Sequence, residues 1–94
     1  MEFEWDENKN RQNLNKHGIS FEEAKEIFSG IIFTIIDERF HYGEIREITI
    51  GAIESFVIIT VVHTEINGKI RLISAPKATP KERKTYYEYL TEAT

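Results

Sequence analysis

The sequence predicts a small α+β fold: a mainly antiparallel sheet with two N-terminal helices and one C-terminal helix, in the order β-α-α-β-β-β-β-α. Three observations carry that expectation. Apolar residues recur at helical spacing only near the two ends of the chain, where capping signals also lie. Between Ile31 and His63 three β-branched runs follow one another. The tetrapeptide Ile66-Asn67-Gly68-Lys69 then places Asn-Gly between alternating segments, the strongest short-range signal for a two-residue hairpin turn.

Taken in order, Phe3–Trp5 reads as a short edge strand. Asp6 then caps a helix over Glu7–His17 that stops at Gly18, the usual residue just past a helix end. Leu14 is the sole apolar residue of that helix, so its persistence needs a cause other than hydrophobic burial. Ser20 and Glu23 form a capping box for a second helix running to Ser29, with Phe21, Ala24, Ile27 and Phe28 as its buried stripe. Strands are expected over Ile31–Ile36, Ile45–Ile50 and Phe56–His63, the last apolar on both faces as a central strand should be.

The Asn67-Gly68 turn sets a register in which Ile66 faces Lys69, Thr64 faces Arg71, His63 faces Leu72 and Val62 faces Ile73. Arg71 and His63 therefore project from opposite sides of the sheet. Pro76 ends the last strand. Thr79 as cap, Pro80 at the first helical position and Glu82 completing the box start the final helix. On its wheel Arg83, Tyr86, Tyr87 and Leu90 share the inward face, whereas Lys81, Lys84 and Glu88 point out.

Ninety-four residues make one domain over 1–94, and eleven aromatic residues with 40% apolar content argue against disorder. The absence of cysteine excludes disulfides and thiolate chemistry. No apolar run reaches membrane-spanning length and the N-terminus lacks the pattern of a secretory signal, so a cytoplasmic protein without membrane contact is expected.

Charge is unevenly distributed. Ile66–Tyr87 holds six basic residues and one acidic residue, a balance of +5 in a chain of −4, which leaves −9 for the remainder. Such segregation suggests two surfaces with different partners. Arg71, Lys77 and Arg83, with Arg46 on a neighbouring strand, would suit phosphate if they converged in a cleft where the hairpin meets the last helix. Two readings of Arg83 stand: snorkelling to an internal carboxylate, or facing an anion. His63 reads as a satisfied, partly buried imidazole, and His17 as a complement to its helix dipole. His41 sits in a loop. Lys81 is an ordinary outward cation, and Tyr86 is either a packing group or a ring on which a base can stack. The His and carboxylate spacings form no metal site, and no phosphate-binding loop, dinucleotide fingerprint or serine-nucleophile motif is present.

Four phrases in order, FEWDENKNRQNLNKHGISFEEA, REITIG, VVHTE and RLISAPKATPKERKTYYE, resemble the BrnT family of toxins from bacterial type II toxin–antitoxin systems. The resemblance implies a RelE-like fold and an endoribonuclease that works without metal or other cofactor and blocks translation by cutting RNA. It also implies a DNA-binding BrnA antitoxin that joins the toxin in a hetero-oligomer and carries it to operator DNA. Through the matching phrases, Arg46, Arg71, Lys77 and Arg83 become candidates for gripping RNA and stabilising the transition state. His63, Lys16 and His17 become candidates for proton transfer or RNA contact, with Lys81 and Tyr86 at the border. One departure stands out: where the family usually carries an arginine just after the strand, this chain has Pro76, which removes a guanidinium and a backbone donor. Two other readings follow: a degenerate toxin that pairs with its antitoxin without cleaving, and an unrelated RNA-binding module.

Overall fold

In the computed structural model, which describes residues 1–39, 41, 43–54 and 56–93, the elements follow the local signals closely. They are β1 (Glu2–Trp5), α1 (Glu7–His17), α2 (Phe21–Ala24), a 3-10 helix (Lys25–Ser29), β2 (Phe33–Ile36), β3 (Glu47–Ile53), β4 (Val57–Ile66), β5 (Lys69–Ser74) and α3 (Pro80–Ala93). The sheet order is β1-β5-β4-β3-β2, with β1 parallel to β5 and the other neighbours antiparallel.

The caps form as their residue types dictate. The Asp6 carboxylate accepts from the backbone N–H groups of Asn8 and Lys9, and Gly18 closes α1 in the left-handed region at φ 74°. Ser20 and Glu23 make a reciprocal box, as do Thr79 and Glu82. The second helix is shorter than expected: it tightens into a 3-10 helix at Lys25. Phe21, Ala24 and Ile27 are spaced by three, which aligns them on one side at three residues per turn, and all three are buried.

Both sheet faces are covered. On one side Ile19, Phe21, Ala24 and Ile27 pack on Ile53, Ile59, Val61 and Leu72, with Phe3 and Trp5 at the margin. On the other, α3 lays Tyr86 and Leu90 over Ile50, Ile58 and Ala78. The helix is rotated from the expected wheel. Glu82, Tyr86 and Tyr89 face in: Glu82 accepts from the Thr60 hydroxyl, the Tyr86 hydroxyl donates to the Ile31 carbonyl, and Tyr89 meets Phe33. Arg83 and Tyr87 are exposed. Burial raises the Tyr86 phenol above its ordinary pKa, with Tyr87 adding to the shift.

The hairpin register agrees with expectation from Ile66↔Lys69 through His63↔Leu72, but Val62 pairs with Ser74 instead of Ile73. A bulge at this point adds one residue to the β5 side and bends the strand. Beyond it the chain still follows β4: the Thr60 N–H donates to the Pro76 carbonyl, and the Ala78 N–H to the Ile58 carbonyl.

Gly51 sits where β3 meets the 3-10 helix. A Cβ there would lie 2.7 Å from the Ile27 Cβ and 3.2 Å from Ile32. Gly51→Ala is expected to destabilise the fold by about 1–3 kcal/mol through overpacking, read as a lower urea midpoint.

Candidate nucleic-acid interface

The basic residues divide by partner. Glu2 and Glu4 of β1 stand opposite Lys69 and Arg71 of β5 in the parallel ladder. The Arg71 Nη1 lies 2.6 Å from Glu4 and the Lys69 Nζ 3.7 Å from Glu2. Arg46 holds Glu44 at 3.0 Å, and Arg39 holds Asp37 at 2.9 Å. Part of the positive charge near the C-terminus therefore stitches the first strand to the last. Lys9, Lys16, Lys77, Lys81 and Lys84 have no carboxylate within 4 Å among the described residues. Arg83 directs its Nη1 to the Ala78 carbonyl at 3.0 Å.

The expected convergence of Arg46, Arg71, Lys77 and Arg83 in one cleft does not occur. Arg71 is opposite Thr64, near the hairpin end of β4, whereas Arg83 is tied to Ala78, which pairs with Ile58 near the start of that strand. Six residues of strand between those levels span roughly 20 Å. What does come together is a band along the extended segment 74–78. At its upper end α1 and β5 enclose a groove of about 250 Å³ lined by Lys9, Gln12, Asn13, Lys16, His17, Ile73 and Ser74. Lys77 pairs with Ile59, whose side chain is in the core beneath α2, so Lys77 is on the α1 side of the sheet and exposed. Arg83 and Lys81 follow in the first turns of α3. From Ser74 to Ala78 the extended chain covers roughly 13 Å.

Asn13 positions the groove. Its Nδ2 donates to the carbonyls of Ile19 (2.8 Å) and Ala75 (3.0 Å), and its Oδ1 accepts from the Ala75 N–H (3.0 Å). The side chain is buried and saturates a strand edge as another strand would. Asn10 adds a second tie by accepting from the Phe21 N–H at 2.7 Å. These polar contacts are the cause that α1, almost without apolar residues, required. Sequence reading missed Lys9, Gln12 and Asn13. The signal was present in the spacing of Lys9, Gln12/Asn13 and Lys16/His17, which share one helical face.

Two further candidates are placed elsewhere. His63 is 5% exposed, its Nε2 2.7 Å from the Thr49 hydroxyl and its ring edge-on to Phe28, so it belongs to the core and not to the groove. Tyr86 is 3% exposed, and a ring so packed has no face to offer a base. Two larger hollows are acidic: one of about 450 Å³ is lined by Glu22, Glu23, Glu26, Ile53 and Glu54, another of about 410 Å³ by Glu44, Ile45, Glu47, Thr64, Glu65 and Ile66. Both repel phosphate, whereas the α1–β5 groove presents Lys9, Lys16 and His17. Among the described residues no group of three or more His, Asp or Glu is arranged to hold a metal, and no helix is long and apolar enough to cross a membrane.

Comparison with known proteins decides the family. The model of the ribonuclease toxin BrnT of type II toxin–antitoxin systems matches residues 5–82. The chain belongs to the BrnT family. The match includes α1, the 74–78 segment and the start of α3, and ends one residue before Arg83. The crystal structure of the Brucella abortus ribonuclease toxin BrnT is similar, with 26% identity and a TM-score of 0.63, covering 84% of this chain and 97% of that one. No curated protein matches. As a BrnT-family protein the chain is a ribonuclease-type toxin, with RNA as substrate class and an antitoxin as partner.

The burial of His63 has a pH consequence. Desolvation lowers its pKa below 6.5, against the opposing pull of Glu47. Above about pH 6.5 both folded and unfolded chains hold it neutral; as the pH falls below that value the unfolded chain takes up the proton first, and stability drops. Urea unfolding at pH 7.5 and 5.5 is expected to show this loss in the wild type and a smaller loss in His63→Gln.

Proposed function

We propose that this chain is an endoribonuclease that binds RNA along the cationic edge formed by Lys9, Lys16, His17, Lys77, Lys81 and Arg83 and cuts it without a metal ion. In this reading the protein is a RelE-like toxin acting on translation in the cytoplasm. A BrnA-type DNA-binding antitoxin neutralises it in a hetero-oligomeric complex and takes it to operator DNA. The observation that carries the proposal is the division of the cations: Lys69 and Arg71 of β5, and Arg46 just ahead of β3, hold carboxylates, and Lys9, Lys16, Lys77 and Lys81 along the α1 to α3 edge hold none among the described residues.

The chemistry asked of this edge is modest because RNA brings its own nucleophile. The 2′-hydroxyl attacks the adjacent phosphorus, the bond from phosphorus to the 5′-oxygen breaks, and a cyclic phosphate and a 5′-hydroxyl result. One proton leaves the 2′-oxygen and one reaches the departing 5′-oxygen. His17 is the imidazole on this edge and is assigned proton transfer. Lys16 and Lys77 offset charge on the phosphoryl oxygens, and the positive end of the α3 dipole adds to them. Arg83 reaches the backbone once it exchanges the Ala78 carbonyl for a phosphate oxygen, a bidentate partner that suits it better. Arg71 would first have to release Glu4.

Pro76 favours a second reading, a toxin weakened in cleavage but intact in antitoxin pairing. Proline here takes away the amide that would have continued the ladder to the Thr60 carbonyl, and Lys77 replaces a fork with a point charge.

Digestion of a mixed RNA in excess chelator tests both. Wild type is expected to yield cyclic-phosphate and 5′-hydroxyl ends. Lys77→Ala should lose on the order of a hundredfold in rate, while Arg46→Ala stays near wild type. Absence of cleavage by wild type selects the weakened toxin. Cleavage only with added divalent metal contradicts the mechanism.

A further inference from the structure

The two edges of the sheet are unlike. The β1 edge strand carries Glu2 and Glu4, both engaged by cations of β5. The β2 edge, Phe33-Thr34-Ile35-Ile36, has none of the usual guards: no lysine, no proline and no irregularity in its pairing with β3. Beyond β2 no further strand of the described residues lies. Among the described residues its outer ladder of backbone groups has no strand partner. Ile35 and Ile36 are 49% and 59% exposed, and Ile45, just ahead of β3, is 73% exposed. Exposed apolar side chains grouped beside an open ladder mark a docking surface.

The charge around this edge selects the occupant. At the far end of β2 lie Glu38 and Glu47, beside Arg39 and Arg46 whose charges Asp37 and Glu44 offset, and near its start Glu26 and Glu54 rim the hollow around Ile53 on the neighbouring strand. None of Glu26, Glu38, Glu47 and Glu54 has a cation within 4 Å among the described residues. Carboxylates at both ends exclude RNA and disfavour a second copy of the same acidic edge.

We infer that β2 receives an extended segment of the antitoxin, added as a sixth strand, with apolar side chains on both faces, one set beside Ile35 and the other beside Ile36, and lysine or arginine at its ends. The inference rests on family membership for the existence of the antitoxin, and not on where RNA binds. It gives the acidic half of the chain its role: one sheet edge for the nucleic acid, the opposite edge for the protein.

Hydrogen exchange on the complex purified with the antitoxin from its own operon tests this. The outward amides of residues 33–36 should gain strong protection relative to the chain alone. The double substitution Ile35→Lys and Ile36→Lys should weaken the complex about a hundredfold, with RNA cleavage at the wild-type level. Unchanged exchange in β2 on complex formation overturns the inference even if the double variant fails to fold. Undiminished antitoxin binding by a folded double variant overturns it too, as does a free chain that is already dimeric with β2 protected. Cleavage is scored in the same samples, and its absence would count against the nuclease reading and leave the β2 result standing.

Discussion

The contact between the Asn13 carboxamide and the backbone of Ala75 is the constraint on which the rest of the arrangement depends. A helix with one apolar residue cannot hold itself to a sheet by hydrophobic burial. Two hydrogen bonds from one buried amide to Ala75 do so instead, with a third to the Ile19 carbonyl, and they act at the place where β5 bulges and leaves β1 behind. Removing that amide would strand the Ala75 N–H and carbonyl and the Ile19 carbonyl together, each at about 1–3 kcal/mol if left without a partner. Because the bond is to the strand edge, it brings the cationic face of α1 beside the segment that carries Lys77. The docking of the helix and the assembly of the basic edge are one event.

The same economy governs the charges. A basic hairpin in an acidic protein looks at first like a single nucleic-acid surface. The structure separates it into cations with a structural partner and cations without one. Lys69 and Arg71 complete a parallel pair with Glu2 and Glu4, so their positive charge is matched by the strand they hold. Surface ion pairs of this kind add little stability individually, but they set register, and a parallel edge strand of four residues needs its register set. The lysines beyond the bulge have no such duty.

Much of the fold was legible because its signals are local. The two capping boxes, the Asp6 cap, the Gly18 stop and the Asn67-Gly68 turn depend on neighbours within a few residues, and each formed as its sequence predicts. The bulge at Ile73 was not legible: it lies two residues before Ala75, whose partner Asn13 is more than sixty residues away in sequence. The rotation of α3 was hidden for a similar reason: Thr60 and Ile31 supply hydrogen-bond partners to Glu82 and Tyr86, and those partners turn Arg83 outward. At the site, Lys16, His17 and Lys77 could be named from the chain alone. Their separation from Arg71 could not, because it required knowing that Glu4 lies alongside.

The central claim is that the edge cations, and not the ion-paired arginines, meet the RNA backbone. Its most direct test is the salt dependence of binding to a single-stranded oligonucleotide that lacks the reactive 2′-hydroxyl. Each phosphate contact contributes about 0.7 to the slope of log K against log salt for single strands. The account predicts that Lys16→Ala with Lys77→Ala lowers that slope by about 1.4, and that Arg46→Ala with Arg71→Ala leaves it unchanged. The opposite pattern, a slope lowered only by loss of the two arginines, would contradict it.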